Sequence, residues 1–127
     1  MSCLFDTNIF LEVLLGQEKK KICKDLLSVN IENSCISDFS LHSIGVILLK
    51  QKKPKVFEEF LSDVLKYSRI VSLPKDKYFE VTKISQKFNL DFDDSYQIAI
   101  AQEFNLRIAT MDHDFTKVVN LVQVDII

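Results

Sequence analysis

The chain has 127 residues, of which 47 % are hydrophobic, and carries a formal net charge of −2. That length fits one domain spanning residues 1–127, and the apolar content excludes a disordered chain. The charge excludes a broad basic field of the kind that holds long duplex DNA non-specifically, but not an enzyme that meets one phosphodiester at a metal ion.

Cys3 to Phe5 is a short apolar run ending at Asp6, which reads as a buried strand. Ile9, Phe10, Val13 and Leu14 then share one face of a helix that Gly16 stops. Glu18 to Val29 is a second helix, with Ile22, Cys23, Leu26 and Leu27 on its apolar face and lysines outside. Ser34 to Ser37 is a second strand. Asp38 or Ser40 caps the next helix, which runs through Leu41, Ile44, Ile47 and Leu48. Pro54 opens a fourth helix, whose strong apolar face holds Phe57, Phe60, Leu61 and Val64.

Ile70 to Leu73 is a third strand, closed by Pro74. Asp76 to Phe88 is a fifth helix, and Asp91 caps a sixth that reaches Phe104. Arg107 to Ala109 is a fourth strand, leading into Thr110 and Asp112. Leu121 to Val124 is a fifth, and Asp125-Ile126-Ile127 is its end and tail. Strands alternating with helices predict an α/β fold with a central parallel sheet of about five short strands. In such sheets ligands bind beyond the carboxyl ends of the strands. Asp6 and Asp112 both fall there, although they are far apart in sequence.

Acids concentrate in Asp6-Thr7-Asn8, in Asp91-Phe92-Asp93-Asp94 and in Thr110-Met111-Asp112-His113-Asp114, with Asp38 as a less clear fourth. Each one singly reads as a helix cap or as a complement to a helix dipole. Together, convergence of Asp6, Asp94 and Asp112 would be costly. Two carboxylates about 4 Å apart repel by roughly 4 kcal/mol at an effective dielectric of 20. A fold tolerates this when one acid takes a proton or a cation sits between them. Hard oxygen donors suit Mg²⁺ or Mn²⁺. Asp93 lies about 100° round the helix from Asp94. Asp94 is the chosen ligand, because Ile98 and Ala101 follow it on the inward side.

Three stretches carry a resemblance to the PIN domain family, particularly to the small ribonuclease toxins of VapBC-type pairs: Leu4 to Leu14 (LFDTNIFLEVL), Ile36 to Leu48 (ISDFSLHSIGVIL) and Leu90 to Phe115 (LDFDDSYQIAIAQEFNLRIATMDHDF). The resemblance implies a three-layer α/β/α domain that hydrolyses single-stranded RNA with Mg²⁺ or Mn²⁺. It implies that Asp6, Asp94 and Asp112 are metal ligands, directly or through water, that Asp114 is a fourth catalytic acid, and that Asn8 and Thr110 orient the ligands. An antitoxin partner is implied too. The sequence departs from the family's pattern at Ser43, where a Glu is usual. A serine there removes a full negative charge, and Asp38 becomes a candidate to reach the site from the strand end, while Asp93 is the weaker choice beside Asp94.

Two functional classes follow: a metal-dependent ribonuclease, or a catalytically weakened relative that binds RNA or a protein partner without cleavage. A dehalogenase-like phosphatase is disfavoured because Asn8 stands where a second Asp is needed. A response-regulator receiver is disfavoured because Ser72-Leu73-Pro74 offers no phosphoacceptor. The lysines at 19–21 and 24, and at 50, 52, 53 and 55, read as solvated faces or an RNA path. The apolar face of the fourth helix reads as plain core or as a homodimer interface. Cys3, Cys23 and Cys35 match no zinc spacing and read as reduced thiols. With no signal peptide and no membrane span, the expected location is the cytoplasm.

Overall fold

A computed structural model describes all residues, Met1 to Ile127. Five strands, β1 (Cys3–Phe5), β2 (Ser34–Ser37), β3 (Arg69–Val71), β4 (Arg107–Thr110) and β5 (Val124–Ile126), form one sheet in the order β3-β2-β1-β4-β5. Every neighbouring pair is parallel. Six α-helices connect them: α1 (Thr7–Leu14), α2 (Lys20–Val29), α3 (Asp38–Lys50), α4 (Pro54–Asp63), α5 (Tyr78–Phe88) and α6 (Phe92–Phe104).

The two faces of the sheet are covered because successive strand residues point to opposite sides. Leu4, Cys35 and Ile108 face a core closed by Val81 and Ile84 of α5 and by Ile98 and Ala101 of α6. Cys3, Phe5, Ile36 and Ala109 face the other core, closed by Ile9 and Phe10 of α1, Cys23 of α2, Ile44 and Leu48 of α3, and Phe60 of α4. This is the three-layer α/β/α arrangement expected. Phe57, Leu61 and Val64 of α4 are half-buried against the second core. All three cysteines are buried and unpaired, and no helix is long and apolar enough to cross a membrane.

The chain crosses from β1 to β2 and β3 on one side, then returns to place β4 on the other side of β1. The carboxyl ends of β1 and β4 therefore flank the point where the strand order reverses, the usual place for a ligand crevice. Asp6 and Asp112 follow these two ends.

Several local boundaries differ from the sequence reading, α2 beginning at Lys20 and α5 at Tyr78 among them, and three of the differences have a plain physical reason. Ser37, not Asp38 or Ser40, caps α3: its hydroxyl accepts the Ser40 N–H at 3.0 Å, and Asp38 is already helical. The third strand ends at Val71, not Leu73, because the Leu73 N–H turns to the Tyr96 hydroxyl at 3.2 Å instead of joining the sheet. The fifth strand begins at Val124, not Leu121. A 3₁₀ stretch, His113–Val118, is followed by a turn in which the Leu121 and Val122 N–H groups both donate to the Val118 carbonyl. The apolar residues at 121 and 122 belong to that turn, and the presumed tail, Asp125-Ile126, is strand.

Candidate active site

Asp6 is the anchor of the crevice. It leaves β1 in extended conformation and caps α1, its Oδ1 accepting the Thr7 N–H at 2.8 Å. Gln97 Nε2 donates to the same oxygen at 3.3 Å. Oδ2 accepts from Thr110 Oγ1 at 2.7 Å and from Asn8 Nδ2 at 3.2 Å. Four donors thus occupy a carboxylate that has about four acceptor positions. Even so, burial outweighs these bonds and pushes the Asp6 pKa up.

Asn8 laces the two strand ends together: its Oδ1 accepts the Met111 N–H at 3.3 Å while its Nδ2 donates to Asp6 and, at 3.4 Å, to Thr110 Oγ1. Thr110 Oγ1 in turn accepts the Asp112 N–H at 3.0 Å. Asn8 and Thr110 therefore fix the geometry between Asp6 and Asp112.

A cleft of about 340 Å³ opens over this network, and its wall includes Asp6, Asp91, Asp93, Asp94 and Asp112. Asp91 caps α6, its Oδ1 accepting the Asp94 N–H at 2.9 Å. That bond starts the helix so that Asp94 stands above the buried Ile98 and Ala101, while Asp93 is exposed on the rim. Burial, and then the charges of Asp91, Asp6, Asp112 and Asp93, push the Asp94 pKa from 3.8 up to about 7. Asp93 is also raised, by burial and then Asp91.

Of the other expected residues, Ser43 lines the cleft. Asp114 is exposed, and its backbone N–H donates to Asp112 Oδ1 at 2.9 Å. Asp38 points elsewhere: its Oδ1 accepts the Tyr96 hydroxyl at 2.7 Å.

Sequence reasoning missed Gln97 and Ser40. Gln97 is 1 % exposed, and its Nε2 donates to Ser40 Oγ at 2.8 Å as well as to Asp6. Ser40, fully buried, also meets Thr7 Oγ1 at 2.7 Å and accepts from Ser37 Oγ at 3.1 Å. A signal was present: Gln97 interrupts the helix run Tyr96 to Ala101, every member of which is buried, one turn beyond Asp94.

The donor chemistry fits a hard divalent cation. Five carboxylates line the cleft and no Lys or Arg shares its wall. Burial first, and then this uncompensated charge, raise the pKa of Asp94. As the side chains stand, no three of them converge as a ready cage. Asp94 and Asp112 retain free acceptor capacity, whereas the Asp6 oxygens are already engaged by chain donors. An ion there would complete its shell with waters, as Mg²⁺ usually does.

The PIN domain family profile matches residues 3–121. No curated protein sequence matches the chain closely. Among solved structures, FitAcB from Neisseria gonorrhoeae is similar at 26 % identity and a TM-score of 0.73, over 96 % of this chain and 95 % of that one. A chain of a toxin-antitoxin complex from Klebsiella pneumoniae is similar at 22 % identity and a TM-score of 0.78, over 98 % and 96 %. The sarcin-ricin loop cleaving toxin VapC20 of Mycobacterium tuberculosis is similar at 14 % identity and a TM-score of 0.76, over 91 % and 93 %.

Proposed function

The chain belongs to the PIN domain family, and from that premise we propose that it is a metal-dependent endoribonuclease acting on single-stranded RNA, with Mg²⁺ or Mn²⁺ held by Asp94 and Asp112 and, directly or through water, by Asp6. The observation that carries this reading is the acid-lined cleft at the strand-order reversal. Five aspartates gather there and no basic side chain stands among them. A phosphodiester is repelled by such a wall unless a cation lies between.

Bound there, the ion supplies polarisation of a phosphodiester oxygen and a more acidic water. The chain's own part is to hold the acids in place. Asn8, Thr110 and Gln97 fix Asp6, and Asp91 fixes the start of α6 and hence Asp94. Asp112 is set by the Thr110 hydroxyl and the Asp114 backbone. Asp114, exposed and outside the cleft lining, is a fourth acid two residues from Asp112. Asp93 is a rim acid, and Ser43 a neutral oxygen on the opposite wall.

Likeness to a chain of a toxin-antitoxin complex supports an antitoxin as protein partner. A groove of about 630 Å³ between α2 and α4, with the half-buried Val13, Leu14 and Val56 and the exposed Tyr67 among its lining, offers apolar surface to such a partner. Three buried free thiols support work in a reducing cytoplasm.

The test is cleavage of a single-stranded RNA panel in Mn²⁺ by wild type and by Asp94→Asn. Asp94 is the better target than Asp6, whose four donors an Asn could not satisfy. The expected result is metal-dependent cleavage by wild type, falling at least about 100-fold in the variant, as losses of transition-state charge stabilisation do. Equal background from both proteins would favour the second reading, binding without cleavage. Ser43, in place of a carboxylate, is what keeps that reading in view.

A further inference from the structure

The cleft has a second wall of different character. On α3, Phe39, Ser43 and Ile47 recur every four residues, so one stripe of the helix faces the acids. On α1, Thr7 and Leu11 repeat the same spacing and line the same cleft. One wall is therefore anionic, and the facing wall is apolar with two neutral hydroxyls.

The apolar wall is rigid. Phe39 packs edge-to-face on Tyr96, with ring centroids 6.4 Å apart at 68°. Tyr96 cannot turn, because its hydroxyl donates to Asp38 at 2.7 Å and accepts the Leu73 N–H at 3.2 Å. Phe92 stacks on the same ring at 6.0 Å and 18°. Phe39 stays half-buried at the cleft, although it also packs on the core. Its ring thus presents aromatic surface within the space that the acids enclose.

We propose that the wall formed by Leu11, Phe39 and Ile47 is a subsite for one unpaired nucleobase, stacked on Phe39 beside the acidic cluster, with the Ser43 hydroxyl facing the base edge. The ligand must match both walls. It needs an anionic end that meets the acids through a cation and, attached to it, a flat apolar body with polar edges. A nucleotide unit has that construction, and a volume of about 340 Å³ lies at the lower end of small-ligand sites. A paired base cannot enter, because its faces and edges are already used by its duplex. The preference for single strands then arises from this wall and not from a basic groove. The inference rests on the nuclease reading for the identity of the ligand.

The test is binding of a short fluorescein-labelled single-stranded RNA, and of the same RNA with one base removed at each position in turn. It is measured in Ca²⁺, with the RNA checked intact afterwards. Phe39→Ala is expected to weaken binding of the intact RNA about tenfold, within the range for loss of one base–aromatic stack. Phe39→Tyr is expected to stay within about twofold. Wild type should lose a similar factor when the seated base is removed, and Phe39→Ala should lose nothing further. Ile47→Ala, which trims the same wall with less risk to the core, should give a smaller loss with the same dependence on the base.

Equal binding of intact RNA by wild type and both alanine variants would overturn the proposal. So would a loss that is unchanged whichever base is removed, which would mean that the variant disturbs the sugar-phosphate path or the fold and not a base contact. Metal-dependent cleavage with an indifferent Phe39 would sink the base subsite alone. Base-dependent binding without any cleavage would sink the nuclease reading and leave the subsite standing.

Discussion

Asp94 shows how one side chain reports the state of the whole cleft. Its neutral form is favoured by burial first and by four neighbouring carboxylates next, which raises its pKa from 3.8 to about 7. In metal-free protein the folded state therefore holds a proton that the unfolded chain releases near pH 4. Between those values the folded state binds more protons, so stability falls as pH rises, and the loss is complete above about pH 7. The buried Asp6, also raised, adds a slope of the same sign. Chemical denaturation in EDTA should show a drop on the order of 2 kcal/mol from pH 4 to pH 8, the full linkage being reduced because Asp94 is partly solvated. Asp94→Asn should flatten most of that slope. A wild-type profile that rises or stays level across the window would mean that neither burial nor the neighbouring carboxylates hold a proton on Asp94.

At the scale of elements, the site depends on where helices begin. Asp91 is both the cap of α6 and one of the charges crowding Asp94. These two roles separate by substitution. Asp91→Ala loses the 2.9 Å bond to the Asp94 N–H, a cap worth about 1 kcal/mol. Asp91→Ser keeps a capping oxygen and removes the charge. Above pH 7 the serine variant should be at least as stable as wild type and more stable than the alanine variant, as read by thermal unfolding. Identical melting of the two variants would show that the cap contributes nothing. The cap of α6 was legible because an Asp stands just before an apolar helical run. The cap of α3 was not, since Ser37, Asp38 and Ser40 are all capable residues and only the strand's end decides among them. The fifth strand was misplaced for a related reason. Val122 packs on the core from a turn while Leu121 beside it is exposed, and short apolar runs do not distinguish a turn from a strand.

Across the whole molecule, alternating strands and helices were enough to put Asp6 and Asp112 beyond strand ends, where ligands bind in parallel sheets, whereas the order that makes β1 and β4 neighbours was not legible. With the family resemblance added, Asp6, Asp94 and Asp112 could be grouped from sequence. The polar network beneath them could not. Gln97 and Ser40 meet across 57 positions in the chain, and Ser40 looked like a cap. Nor could the second wall be read, since Phe39 and Ile47 resemble ordinary core residues until α3 is seen to turn them toward the acids. Whether this cleft is a site for a divalent cation is read by electron paramagnetic resonance of Mn²⁺ titrated into the metal-free protein. Wild type should show a bound-Mn²⁺ population that Mg²⁺ displaces and that is lost when Asp94 and Asp112 are both replaced by Asn. Free-ion spectra that are the same for wild type and for this double variant, at every Mn²⁺ concentration, would contradict a cation site there.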